Sequence, residues 1–197
     1  MSSTNTVRLK KTMAVIGLTW FAYVIFHLLS LLTFYSGEGA FNALYAAFEA
    51  SALYHILVLA LIASLVFHVY VAVTRQLANS KSKGVGYHKT YPGEVPRSVA
   101  WTGAAILFSF IVFHFVQMKT LDEANLYQQL LSILANPLML VIYALGTFAL
   151  CAHLHHGLTS VLQTLGVSPK TYNSWAIAIV AILFIGFISI PVSVYVK

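Results

Sequence analysis

The stretch CAHLHHGLTS, residues 151–160, sets His153, His155 and His156 inside a long apolar run. His27, His68 and His114 each stand alone in a run of the same kind, and His55 and His88 complete the eight histidines of the chain. Neutral imidazole ligates metals and haem iron and carries protons. An ionisable side chain placed within a bilayer is costly enough to point to function. Few other groups could share the work. The one cysteine, Cys151, excludes a disulfide framework and a cysteine-ligated cluster. His153 and His156, at i and i+3, could share a zinc ion, but no intramembrane Cys, Asp or Glu completes a usual ligand set. A proton pump or ion channel usually needs buried carboxylates, and the apolar runs hold none apart from Glu49 near one end. There is no phosphate-binding loop, no dinucleotide fingerprint and no nucleophile with its base and orienting acid.

Composition indicates what must position these histidines. Of 197 residues, 59% are hydrophobic and only 8% charged, against about a quarter charged in a soluble domain. Mean hydropathy is +0.83. This is an integral membrane protein, expected as an all-α bundle of five transmembrane helices and a single transmembrane domain over 1–197. Five segments can cross a hydrocarbon core of roughly 30 Å: about 12–34, 52–74, 98–118, 137–162 and 173–195. Asn136-Pro137 opens the fourth, with Asn as N-cap and Pro at the first helical position. Pro169 falls in the short loop after it. The hydrophilic stretch RQLANSKSKGVGYHKTYPGEVPR, residues 75–97, reads as a loop. The first ten residues lack a cleavable signal pattern, so the N-terminus is expected to be retained.

The net charge of +6 is a matter of topology. Arg8, Lys10 and Lys11 precede span one; Arg75, Lys81, Lys83, Lys89 and Arg97 join spans two and three; Lys170 joins spans four and five. Only Lys119 and Lys197 fall on the other side. The positive-inside rule makes the first side, with the N-terminus, cytoplasmic. Glu38, Glu49, Asp122 and Glu123 fall outside and only Glu94 inside. A nucleic-acid partner is not expected.

Depth follows from a rise of about 1.5 Å per residue. His27 is 16 residues past Lys11 and His114 is 17 past Arg97, roughly 24–25 Å from the cytoplasmic edge. His68 lies seven residues before Arg75 and His153 ten before Gln163, roughly 10–15 Å deep. Two depths appear, each occupied by two histidines on two helices. One such histidine alone would read as a polar residue bonded to a neighbouring helix; four sorted into two layers match what two haem groups require, an imidazole on either side of each iron. Small residues support close approach to a flat macrocycle. Gly103 shares a face with His114, Gly146 and Gly157 frame His153, and Ser64 is one turn from His68; plain helix packing would use them equally well.

These residues carry a resemblance. The chain resembles the five-helix dihaem cytochrome b subunit of succinate:quinone oxidoreductases, the family of succinate dehydrogenases and quinol:fumarate reductases. The matching stretches are KKTMAVIGLTWFAYVIFH in span one, GAFNALYAAFE in the outer loop and VFHVYVAVTRQ closing span two. They continue with IVFHF in span three and NPLMLVIYALGTFALCAHLHHGLTSVLQTLG through span four. The resemblance implies that His27 and His114 hold an outer haem b and His68 and His153 an inner one, as axial ligands to iron. The family's span-four ligand stands four residues before a glycine, which selects His153 before Gly157. His155 lies about 200° around the helix and faces elsewhere; His156, about 60° off, is the alternative ligand, or could reach a propionate. His55 reads as interfacial and His88 as a cytoplasmic loop residue.

The resemblance further implies a cytoplasmic flavoprotein and an iron–sulfur subunit as partners, with electrons passing between the iron–sulfur clusters and a membrane quinone. Nothing in this chain could bind a dicarboxylate and take hydride from it. Some of Lys10, Lys11, Arg75 and Arg97 could pair with inner-haem propionates and the rest could dock the partner. Glu49 is the quinone-site candidate: related enzymes carry a carboxylate in this outer region that exchanges protons with quinol, although an ordinary interfacial acid reads the same way. Some quinol:fumarate reductases also have a glutamate beside the span-four ligand, which TFALCAHLHHG lacks; this favours succinate oxidation with a low-potential quinone such as menaquinone, in a bacterial inner membrane. Two readings stand beside it: a cytochrome b of a hydrogenase or formate dehydrogenase, and a non-redox transporter or scaffold.

Overall fold

The structure, a computed structural model, describes residues 3–81, 97–166 and 172–196, and every regular element among them is helical. Lys83, His88, Lys89, Glu94, Pro169, Lys170 and Lys197 lie outside the described residues. In chain order the helices are α1 (Ser3–Leu31), α2 (Glu38–Glu49), α3 (Ala52–Lys81), α4 (Arg97–Lys119), α5 (Leu126–Leu134), α6 (Pro137–Thr164) and α7 (Tyr172–Tyr195). Helices α1, α3, α4, α6 and α7 are long and apolar enough to cross a membrane, giving the expected five-span all-α architecture. Two of them outrun their expected bounds: α1 begins at Ser3 rather than near 12, and α3 continues to Lys81 rather than 74. Once a helix is nucleated inside the bilayer, each added turn of polar residues costs little. The 30 residues of α3 reach about 45 Å, well beyond the hydrocarbon core.

The loops at one end of the bundle are themselves helical, which the sequence reading did not anticipate. A 3-10 turn, Leu32–Ser36, runs into Gly37, whose φ of 92° lies in the left-handed region that glycine enters without a Cβ clash. Helix α2 follows, with Phe41, Leu44, Tyr45 and Phe48 spaced i, i+3, i+4, i+7 along one face. Between α4 and α6, the Asp122 carboxylate accepts from the Ala124 N–H at 3.1 Å and starts the turn that leads into α5. Phe34, Phe41, Leu130 and Leu134 bury together with Ile190 of α7. The two short helices are tied by the Tyr127 N–H donating to Asn42 Oδ1 at 3.0 Å and by Gln128 Nε2 donating to Glu38 Oε2 at 2.7 Å. This is the capped end of the bundle. There Asn136 caps α6 as expected, its Oδ1 accepting from the Leu138 N–H at 2.9 Å.

Helix α6 lies at the centre, against α7, α4 and α1. Val24 and Leu28 of α1, Leu154 of α6 and Leu183 of α7 make the buried cluster there. Leu28 presses into the notch at Gly186, where an added Cβ would come within 2.8 Å of its Cδ2. Helix α3 stands apart from that core and packs on α1 and α2. The Trp20 Nε1–H donates to Ser64 Oγ at 3.0 Å and pins α3 to α1.

Candidate functional site

Two imidazole pairs occupy two levels of the bundle. His27 and His114 sit four and five residues from the capped ends of α1 and α4, their ring centroids 5.9 Å apart. His68 and His153 each lie sixteen residues after the capped-end starts of α3 and α6, with ring centroids 6.2 Å apart. The difference of eleven to twelve residues separates the levels by about 17 Å along the helices. All four side chains are half-buried. The structure thus brings together His27 with His114 and His68 with His153, while His156 is exposed. His155 lies beside Phe148, Cys151, Val180 and Phe184 in a groove between α6 and α7. His55, at the start of α3, donates from Nε2 to the Glu49 carbonyl at 2.9 Å.

The spacing of both pairs suits an iron between them. A metal held about 2.0 Å from one nitrogen of each ring puts the ring centres roughly 6 Å apart. His68 Nδ1 is buried with no hydrogen-bond partner, so no protein acceptor ties the ring through that nitrogen. Among the described residues no three His, Cys, Asp or Glu side chains converge as a metal cage. The residues present therefore fit two bis-imidazole groups.

The surroundings differ between levels. His27 stacks on Tyr23 at 5.8 Å and meets Phe187 of α7 at 5.9 Å. Phe110 stacks on His114 at 5.8 Å. His114 Nδ1 is 3.2 Å from Tyr143 Oη, Tyr143 donates to Gln117 Oε1 at 2.7 Å, and Gln117 Nε2 faces Met139 Sδ at 3.6 Å. Neither Tyr143 nor Gln117 was singled out from the sequence. The available signal was Gln117 three residues after His114 on one face.

The small residues sort differently from the expectation. Gly103 and Gly157 have nothing within 4 Å of an added Cβ and border open space, as a ligand-facing residue would. Gly146 does not: a Cβ there would lie 2.4 Å from the Phe110 ring, so this glycine makes room for a side chain of α4. The Ser64 hydroxyl accepts from Trp20 Nε1–H.

Glu49 is the last residue of α2, where the expectation set it at the outer end of span two. Its Oε1 accepts from Lys119 Nζ at 2.6 Å, with the two side chains 21% and 42% exposed, and Lys119 also lies 5.6 Å over the Tyr54 ring. The carboxylate therefore ties α2 to the end of α4 and to the start of α3. Nearby on α2, burial pushes the Tyr45 hydroxyl above its ordinary range against a weaker opposing pull from Ser30. At the other end of the bundle Arg75, two turns after His68, is half-buried, whereas Lys10 and Lys11 are exposed.

Among curated proteins and among solved structures, nothing matches this chain. The family model described as succinate dehydrogenase/fumarate reductase transmembrane subunit matches residues 87–190. That stretch holds α4 to α6 and α7 as far as Ile190, with His114 and His153, and leaves His27 and His68 to the helices before it. A multi-pass helical bundle whose matched half supplies one imidazole to each pair leads to one assignment: the chain belongs to the succinate dehydrogenase/fumarate reductase transmembrane subunit family.

Proposed function

We propose that this chain is the dihaem cytochrome b anchor of a bacterial succinate:quinone oxidoreductase, conducting electrons between an iron–sulfur subunit and a quinone of the inner membrane. The observation that carries this reading is the two imidazole pairs, 5.9 and 6.2 Å between ring centres, on four different helices. When bound, each haem b supplies a one-electron carrier whose potential the axial ligands and their hydrogen bonds tune. His27 and His114 would hold the haem at the capped end, and His68 and His153 the other. Levels about 17 Å apart along the helices would leave two such groups close enough for electron tunnelling. Tyr23 and Phe187 wall the first site and keep water from it.

The N-terminal end faces the cytoplasm, because nine of eleven Lys and Arg residues fall on that side. Half-buried Arg75 would pair with propionates of the inner haem, and exposed Lys10 and Lys11 would meet the iron–sulfur subunit and its flavoprotein. The capped end then faces outward, and Glu49 there exchanges a proton with quinol at Oε1, the atom that Lys119 holds. Menaquinone is the quinone favoured, since α6 offers no carboxylate beside His153 for a proton path across the membrane.

A reduced-minus-oxidised spectrum of the purified subunit, with a pyridine haemochrome assay, tests the reading. Two b haems per chain are expected. No haem would leave a scaffold with structural histidines; haem together with hydrogenase or formate dehydrogenase subunits would move the chain to those complexes.

A further inference from the structure

We infer that Tyr143 and Gln117 are positioning residues that fix the ring nitrogen His114 offers to iron and hold the potential of the capped-end haem down. The inference rests on the proposed haem ligation. The Tyr143 hydroxyl has one proton, and that proton is engaged with Gln117 Oε1 at 2.7 Å. The Tyr143 oxygen must then accept at its 3.2 Å contact with His114, so Nδ1 carries the ring proton and Nε2 presents a lone pair. The Gln117 amide is held in the orientation this needs, with its Nε2 toward Met139 Sδ at 3.6 Å. Packing holds the hydroxyl as well: Phe110 fills the Gly146 notch one turn after Tyr143, meeting the Tyr143 ring edge to face at 5.6 Å and stacking on His114.

An acceptor on the outer nitrogen of a metal-bound imidazole fixes its tautomer and raises its basicity. A more basic ligand favours ferric over ferrous iron, so the haem it holds is reduced at a lower potential. His68 differs, its Nδ1 being buried without a hydrogen-bond partner. The two pairs are therefore inequivalent: His114 carries a relay across α4 and α6, and His68 Nδ1 has no such acceptor.

The experiment is an optical redox titration of the full complex carrying Tyr143→Phe, which keeps the ring and removes the hydroxyl. Two b haems should remain by pyridine haemochrome. One midpoint should rise, with a threefold to tenfold higher ratio of reduced to oxidised haem at fixed potential, up to about 59 mV for a one-electron couple. Gln117→Leu should shift the same midpoint in the same direction, because the hydroxyl loses its acceptor. The double variant should match Tyr143→Phe alone, since residues acting in series do not add. Loss of the capped-end haem alone in Tyr143→Phe also supports the relay. If both haems are lost, the decision passes to Gln117→Leu. Two haems with both midpoints unchanged in either variant overturns the relay while leaving the ligation standing. A wild-type protein without haem overturns the ligation itself.

Discussion

At the residue scale, each pair can be taken apart separately. His27→Ala or His114→Ala should remove one haem, and His68→Ala or His153→Ala the other, counted by pyridine haemochrome. His155→Ala should keep both, because that ring faces the α6–α7 groove; loss of a haem there would sink the assignment of His153. Glu49→Gln breaks the ion pair with Lys119 and removes a titratable group while keeping shape. Both haems and succinate-dependent reduction of an artificial acceptor should persist, while quinone-coupled turnover drops by roughly 10²–10⁴-fold, the contribution of a general acid–base residue. Unchanged quinone turnover makes Glu49 a structural acid. The histidine depths were legible because helix rise is fixed and the charged flanks mark the membrane edges. Tyr143 and Gln117 were not, because their meeting depends on how α4 and α6 are turned against each other. Counting residues along one helix does not give that rotation.

At the element scale, the five spans were legible from apolar length alone, and the Asn136-Pro137 start was legible from capping chemistry. The short helices α2 and α5 were not read, because nine to twelve residues without a capping box are weak helix signals by themselves. What stabilises them is burial against each other and against Ile190, a contact between remote parts of the chain. The glycines show the same division. Gly146→Ala should destabilise the α4–α6 packing by about 1–3 kcal/mol through the clash with Phe110, read as a lower melting temperature by circular dichroism. A Cβ at Gly157 has no neighbour within 4 Å, so protein packing alone predicts little change in melting for Gly157→Val. If that open face borders a macrocycle, the variant should lose the haem proposed for His68 and His153. A Gly157→Val protein with two haems would show that the face meets lipid.

At the scale of the whole molecule, a membrane subunit of this family works in a complex with other subunits. Purification through a tag on this chain should bring down a flavoprotein and an iron–sulfur protein. Treatment of intact cells with a membrane-impermeant thiol reagent should label Gln128→Cys at the capped end, and labelling of only broken cells would invert the orientation. The capped end also sets a schedule. Its buried core joins Phe34 and Phe41 to Ile190, so it stays open until the ribosome has reached the last helix. Chains grow at about 5–20 residues per second, and the 149 residues from Asn42 through Ile190 take roughly 7–30 s. During that interval the first imidazole pair has its helices one by one but no roof. Whatever must enter between them from that side has a window measured by translation, and the seventh helix shuts it.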